Sequence, residues 1–159
     1  MATLLCFHAH PDDESIATAG VMAAAAADGH RVVLVVATLG EEGEVPDGFL
    51  AEGESLAERR EAETRASAQI IGASRVEFLG YRDSGMVGTS TNDHPDAFCQ
   101  ADLDEAAERL ATILREEGAD VATIYDENGV YGHPDHVQVH RVGVRATELA
   151  GTPRCSRAR

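Results

Sequence analysis

The chain has 159 residues, enough for one domain with a buried core, and contains neither a membrane-spanning apolar run nor a secretory signal pattern, so a cytoplasmic protein is expected. Hydrophobic residues make up 43% and charged residues 26% of the chain, as in ordinary globular proteins. The net charge of −15 disfavours nucleic acid and anionic membranes as partners, and we expect neither.

Short apolar runs alternate with longer amphipathic segments along the chain. In chain order the pattern predicts a strand at 3–7, a helix at 13–28, a strand at 31–38, a helix at 54–71, a strand at 75–79, a helix at 102–117, a strand at 121–125 and a helix at 134–149. Asp102 is a plausible N-cap, and Gly29 and Gly118 are placed to end helices. This alternation predicts an α/β fold, a Rossmann-like three-layer sandwich with a mostly parallel sheet.

Two segments lack a regular period. The stretch 80–101 is rich in turn residues, and loops of that length in compact domains are usually functional or mobile. Residues 151–159 are basic and show no strand pattern. We therefore expect one domain over residues 1–150, followed by a short basic tail over 151–159.

Ionisable residues follow two of the predicted strands. The first strand leads into a segment that contains His10, Asp12 and Asp13, and the strand at 121–125 leads towards His133 and His136. In open α/β sheets the binding crevice lies beyond the carboxyl ends of the strands. Both segments should therefore meet at one edge of the sheet.

The residue types in these segments suit a catalytic divalent metal. Such an ion prefers imidazole nitrogen and carboxylate oxygen, and it keeps a position open for water. His10 and Asp13 lie at a strand-to-helix turn, and His136 would complete a His₂Asp set that accepts zinc, iron or manganese. An ordinary turn with helix-capping acids could explain one His-Pro-Asp tripeptide, but it explains two at matching sheet edges poorly.

His8 raises a rival reading, because the pattern His-x-His-x-Asp is also found in dinuclear metallohydrolases. The β-lactamase-like version has a histidine where Asp13 stands, and an amidohydrolase barrel needs about 200 residues or more. We therefore expect His8 to be a strand-end residue or to support the metal ligands from outside.

Several motifs together resemble one known family. They are AHPDDE (9–14), TLGEEGEV (38–45), ERREAETRASAQIIG (58–72), YRDSGM (81–86) and YDENGVYGHPDH (125–136). The chain resembles the LmbE / PIG-L family of zinc-dependent N-acetylglucosamine deacetylases. The segments LGEEGE and RDSGM are most similar to its mycothiol-related branch, which includes the glucosaminyl-inositol deacetylase and the mycothiol-conjugate amidase.

The resemblance implies an enzyme that uses a zinc-activated water to remove an acyl group from a small amino-sugar molecule. The residues that it assigns to the metal are His10, Asp13 and His136. It makes Asp12 the general base, places His133 and Tyr131 beside the developing oxyanion and the leaving group, and has Asp135 orient a histidine. Arg60 and Asp83 correspond to family positions that contact the sugar.

Members of the family usually continue with further strands beyond the position where this chain ends, so part of the family fold would be missing here. A second reading is therefore a truncated relative that binds metal or associates without catalysis. A homo-oligomer is compatible with either reading.

Overall fold

The two most apolar runs of the sequence form adjacent parallel strands, β1 (Thr3–His8) and β2 (Arg31–Val36). In this computed structural model, which describes residues 1–158, β3 (Arg75–Phe78) extends the sheet beside β2. On the other side of β1 lie β4 (Val121–Tyr125) and β5 (Arg154–Ala158). The strand order is β3-β2-β1-β4-β5 and every pairing is parallel, which confirms the predicted α/β class.

Helices cover both faces of the sheet. They are α1 (Asp13–Ala17), α2 (Ala19–Ala27), α3 (Leu56–Ile71), α4 (Leu103–Glu117), α5 (Gly129–Gly132) and α6 (Pro134–Ala150). Leu5 and Val33 pack into a core with α4 and α6, whereas Cys6 and Leu34 pack into a second core with α2 and α3. Since successive strand residues face opposite sides and both sides are covered, the molecule is the predicted three-layer sandwich.

Helix ends follow local capping chemistry. Ser55 and Glu58 form a capping box at the start of α3, and the side chain of Asp102 accepts a hydrogen bond from the Glu105 amide at the start of α4. Gly72 and Gly118 end these helices in the left-handed conformation. Asp102 and Gly118 therefore have the roles predicted from the sequence.

The helix predicted at 13–28 is divided in two at Thr18. The backbone of Thr18 is non-helical (φ −131°, ψ −6°), and its hydroxyl lies 2.8 Å from the His8 ring nitrogen Nε2. The break therefore comes with a tertiary contact to the end of β1, which helical periodicity alone does not reveal.

The prediction that the tail has no strand is wrong for the part of the tail that the structure describes. Residues 154–158 form β5, which pairs in parallel with the whole of β4. The side chains of Arg154–Arg157 are exposed, so the strand is held by backbone hydrogen bonding to its neighbour rather than by an apolar face. A strand of this kind leaves no hydrophobic alternation in the sequence.

The stretch 80–101 has little regular structure, as predicted. It contains two short 3₁₀ turns, Ser90–Asp93 and Phe98–Gln100, and an isolated parallel bridge between Arg82 and Ala97. Within the described chain, none of the helices combines the length and apolar character needed to cross a bilayer.

Candidate metal centre and active site

The segments after β1 and β4 meet where the strand order of the sheet reverses, because β2 lies on one side of β1 and β4 on the other. A cleft of about 940 Å³ opens at this edge. Its ionisable lining residues are His10, Asp12, Asp13, Glu42, Glu44, Arg60, Glu63, Asp83, Tyr131 and His133. The structure therefore brings the predicted site residues of both segments to one place, with Asp135 and His136 buried beneath the surface.

His10, Asp13 and His136 have the spacing of a metal-ligand set. Asp13 Oδ2 lies 3.5 Å from His10 Nδ1 and 3.4 Å from His136 Nε2. Two ligand atoms bound at 2.0–2.1 Å to a tetrahedral ion are separated by about 3.4 Å. The three atoms could therefore hold one divalent ion without large rearrangement.

His136 carries the clearest sign that a metal belongs here. Both of its ring nitrogens are buried, and neither has a hydrogen-bond partner among the described residues. Its ring stacks on Tyr125 with centroids 4.4 Å apart, which fixes the plane of the imidazole. Since an unsatisfied buried polar group costs about 1–3 kcal/mol, a metal bound to Nε2 explains why this nitrogen faces Asp13.

The charges around His10 favour a cation. Burial alone would lower the pKa of His10, but hydrogen bonds from its ring to Asp13, Asp135 and Asp83 raise that pKa well above its ordinary value. Burial alone would raise the pKa of Asp13, but contacts with His10 and His136 outweigh the effect of burial and hold that pKa well below its usual range. Asp13 is therefore ionised at neutral pH, as a metal ligand must be.

Asp12 projects into the cleft beside these ligands. Its φ of 97° is unusual for a residue other than glycine, and helix α1 begins immediately after it. Burial raises the pKa of its carboxyl group, although the Arg60 guanidinium opposes this shift. A carboxylate of raised pKa at the open side of a metal set suits a general base.

Arg60 holds the loops around Asp12 together. Its guanidinium donates to the Gly40 carbonyl (3.0 Å), to the Pro11 carbonyl (2.5 Å) and to Asp12 Oδ2 (2.5 Å). Arg60 lines the cleft, where the resemblance placed a sugar contact, but all three of these bonds go to the protein. Its observed contacts therefore position the Asp12 carboxylate.

Asp135 is fully buried, and the histidine that it contacts is His10. Asp135 Oδ2 lies 3.1 Å from His10 Nε2 and accepts a hydrogen bond from the Ser84 amide at 3.0 Å. The Ser84 hydroxyl donates to the other carboxylate oxygen. A carboxylate that accepts from one nitrogen of an imidazole leaves the other nitrogen free to bind a metal.

His133, Tyr131 and Asp83 also line the cleft. His133 caps helix α6, and its Nδ1 accepts a hydrogen bond from the Asp135 amide at 3.1 Å. Burial lowers the pKa of His133, and the neighbouring His10 lowers it further. The neutral His133 ring therefore carries its proton on Nε2, where it can serve as a hydrogen-bond donor.

Asp83 is buried near His10 and is held by neighbouring backbone. Its Oδ1 accepts from the Gly85 amide at 2.9 Å and lies 3.4 Å from His10 Nε2. Burial would raise its pKa, but the hydrogen bond with His10 and the positive charge there lower it. Asp83 is thus an ionised acceptor that a substrate hydroxyl could reach from the cleft.

His8 lies outside the metal set, as predicted. Its ring nitrogens form hydrogen bonds with two hydroxyls, Nδ1 with Tyr125 (2.7 Å) and Nε2 with Thr18 (2.8 Å). Burial lowers the pKa of His8 to about 4, so it is neutral at physiological pH. It supports Tyr125, and Tyr125 in turn supports the ring of His136.

Sequence reasoning did not assign Ser84 or Tyr125 to the site. Ser84 lies inside the motif YRDSGM and Tyr125 begins YDENGVYGHPDH, so both stood within segments already singled out. Their roles depend on contacts with residues far away in the chain, which spacing alone does not show.

Comparisons with known proteins point to one family. The profile of the family described as "PIG-L: GlcNAc-PI de-N-acetylase" matches residues 5–147. A protein of Acidothermus cellulolyticus named 1D-myo-inositol 2-acetamido-2-deoxy-alpha-D-glucopyranoside deacetylase is 54% identical over 155 residues, which is 92% of this chain and 53% of that protein. The chain thus spans about half the length of the curated relatives it matches.

Solved structures share the fold. The N,N'-diacetylchitobiose deacetylase from Pyrococcus horikoshii matches with a TM-score of 0.72 at 25% identity, over 95% of this chain and 53% of that one. GalB, the 4-carboxy-2-hydroxymuconate hydratase from Pseudomonas putida, matches with a TM-score of 0.69 at 27% identity, over 94% and 55% of the two chains. Since a deacetylase and a hydratase share this architecture, the reaction must be argued from the site.

Proposed function

Because the chain belongs to the PIG-L family of GlcNAc-PI de-N-acetylases, we propose that it is a metal-dependent hydrolase that removes an N-acetyl group from a glucosamine-containing small molecule. The observation that carries the proposal is the unpartnered, buried His136 ring beside Asp13, with Asp12 at the cleft. Zinc is the metal that we expect, although the same donors suit iron or manganese.

The metal would be held by His10, Asp13 and His136, and when bound it would polarise the amide carbonyl and acidify a water molecule. Asp12 accepts the proton of the attacking water, while Arg60 keeps its carboxylate facing the cleft. The proton on His133 Nε2 then stabilises the oxygen that gains negative charge. Asp12, which now carries the water proton, or His133 protonates the amide nitrogen as the C–N bond breaks, and acetate and the free amine leave.

Tyr131 stands at the mouth of the cleft, 62% exposed. Burial and the nearby Asp13 raise the pKa of its hydroxyl, so it is protonated at neutral pH and can donate a hydrogen bond. We assign it to the reacting carbonyl or the leaving amine, together with His133.

The lining of the cleft indicates the substrate class. The cleft is lined by several carboxylates, which include Glu42, Glu44, Glu63 and Asp83, and by a single arginine, Arg60. Carboxylates accept hydrogen bonds from hydroxyl groups. The same charges repel phosphates. An uncharged polyol amide such as N-acetylglucosaminyl-inositol therefore fits better than a phosphorylated one, in line with the names of the curated relatives.

The test is acetate release from N-acetylglucosaminyl-inositol by the zinc-loaded chain, with bound metal measured in parallel. Asp12→Asn should lower turnover by about 10²–10⁴-fold and keep one bound zinc, because asparagine tolerates the positive φ and removes only the base. His136→Ala should lower zinc affinity by about 100-fold or more. Asp28→Asn, an exposed position at the end of α2, is the matched control and should change neither quantity.

Two results would contradict the proposal. Full activity of Asp12→Asn would remove the base from the mechanism. One bound zinc without acetate release from any of several amino-sugar amides would favour the alternative of a metal-binding or association module. A homo-oligomer is compatible with the deacetylase and with the non-catalytic alternative, and sedimentation would reveal it.

A further inference from the structure

Ser84 is completely buried next to the metal-ligand set, although the chemistry proposed above does not use it. It follows Asp83 in the irregular stretch after β3 and makes two hydrogen bonds to one carboxylate. Its hydroxyl donates to Asp135 Oδ1, and its amide donates to Asp135 Oδ2. Ser84 thus holds both oxygens of Asp135 at once.

Asp135 depends on this contact because it has no access to water. It is completely buried, and the partners of its side chain in the described structure are Ser84 and the His10 ring. A buried polar group needs hydrogen-bond partners to offset its loss of contact with water. The Ser84 amide and hydroxyl supply these partners and hold the Asp135 carboxylate where Oδ2 meets His10 Nε2.

The direction of the Ser84 hydroxyl is fixed by a second neighbour. The Cys99 amide donates to Ser84 Oγ at 2.9 Å, which occupies a lone pair of that oxygen. With the Cys99 amide on one side of the oxygen, the hydroxyl donates its proton to Asp135 Oδ1 on the other.

The consequence reaches the metal through His10. Asp135 accepts from His10 Nε2 at 3.1 Å, so a His10 ring that binds the metal would keep its proton on Nε2 and offer Nδ1, which lies 3.5 Å from Asp13 Oδ2, to the ion. A competing acceptor, Asp83 Oδ1, lies 3.4 Å from the same Nε2. If Asp135 were free to turn, the His10 ring could tilt towards Asp83 and away from the other ligands.

We infer that Ser84 is a positioning residue for the metal site: through Asp135 it sets which nitrogen of His10 binds the metal and how the ring is turned. This inference rests on the proposed metal set of His10, Asp13 and His136. It does not require that the substrate be an amino sugar.

The experiment compares Ser84→Ala with Thr147→Val. Both variants remove a buried hydroxyl, but Thr147 bonds to the Val144 carbonyl at the far end of α6. Competition with a chromophoric chelator should show zinc affinity about 10–100-fold weaker for Ser84→Ala and within about twofold of wild type for Thr147→Val. At saturating zinc, kcat should fall while KM stays constant, since Ser84 does not line the cleft.

Nitrogen NMR of the zinc-loaded protein gives a second readout that does not depend on activity. Wild type should show a slowly exchanging proton on His10 Nε2, and this proton should exchange faster in Ser84→Ala. Ser84→Thr, which keeps the hydroxyl, should restore zinc affinity at least partly. Two results would overturn the inference. The first is a proton on His10 Nδ1 in the zinc-loaded wild type, a result that can be obtained even if Ser84→Ala folds poorly. The second is a zinc affinity and an Nε2 proton exchange rate in Ser84→Ala equal to those of wild type.

The outcomes also separate this inference from the proposed function. If wild type releases no acetate but Ser84→Ala still weakens zinc binding, the deacetylase proposal fails and the role of Ser84 stands. If wild type releases acetate and Ser84→Ala binds zinc as tightly as wild type, the deacetylase proposal stands and the role of Ser84 fails.

Discussion

Gly129 and Gly132 offer a sharp test of how the segment between β4 and α6 positions a proposed metal ligand. Both have a positive φ, 62° and 87° respectively, and they are the first and last residues of the short helix α5. A Cβ added to Gly129 would lie 2.6 Å from the Val137 amide nitrogen and 2.9 Å from His136 Cβ. A Cβ added to Gly132 would meet nothing within 4 Å. Alanine at either position therefore strains the backbone, but only Gly129→Ala places a new methyl group against His136.

The expected magnitudes follow from these distances. Ordinary contact begins near 3.4 Å, so the first turn of α6 must move by about 0.5–0.8 Å to accept Gly129→Ala. Zinc–ligand distances tolerate only about 0.2 Å. We expect zinc affinity about 10–100-fold weaker, comparable to the loss of a supporting contact. Positive φ costs about 1 kcal/mol in either variant, and overpacking adds about 1–3 kcal/mol for Gly129→Ala.

The assay measures two quantities for each variant. Chelator competition gives zinc affinity, and urea unfolding of the metal-free protein gives the free energy of unfolding. Gly132→Ala should bind zinc like wild type and lose only the stability due to backbone strain. Equal zinc affinity of Gly129→Ala and Gly132→Ala would refute the reasoning, because it would show that the position of His136 does not depend on this packing.

Three further predictions concern other contacts. Gly40→Ala should lower turnover about tenfold while zinc stays bound, because the added Cβ would lie 2.2 Å from Arg60 Nη1 and displace that side chain. The control is Gly48→Ala, where φ is also positive but the added Cβ meets open space. Equal turnover of the two variants would contradict the role of Arg60. Gly143→Ala should lower the free energy of unfolding by about 1–3 kcal/mol in urea, since its Cβ would lie 2.4 Å from Ile124 Cγ2. Removing zinc should lower the melting temperature of wild type but not that of His136→Ala.

The parts of the fold that the sequence predicts are those with a local physical cause. The central strands are apolar because both of their faces are buried, so β1 and β2 stand out as runs. Helices α3 and α4 end in glycines whose left-handed conformation is a local requirement. Because the carboxyl ends of parallel strands share an edge, the same reasoning brings His10 and His136 together before any contact is known.

The parts that it misses depend on contacts between distant residues. Residues 154–157 of strand β5 have exposed side chains, and within the described part of the chain the strand pairs with β4 alone, so no hydrophobic pattern reveals it. The break at Thr18 accompanies its bond to His8. Ser84 and Arg60 act on residues 51 and 48 positions away in the chain, and only the folded structure shows which partner each one finds.

The two His-Pro-Asp tripeptides that border the cleft, at 10–12 and 133–135, show why motif and role are not the same. In the second, Pro134 begins α6 directly after His133, and the Asp135 side chain turns inward until it is 0% exposed. In the first, the backbone turns to φ 97° at Asp12 and the helix starts one residue later, which leaves the Asp12 side chain 61% exposed. One aspartate therefore faces the cleft, where we propose that it acts as the base, and the other is hydrogen-bonded to His10 beneath the cleft. The sign of a single φ angle separates these roles, and for that reason asparagine, which tolerates positive φ, is the substitution that isolates the charge of Asp12.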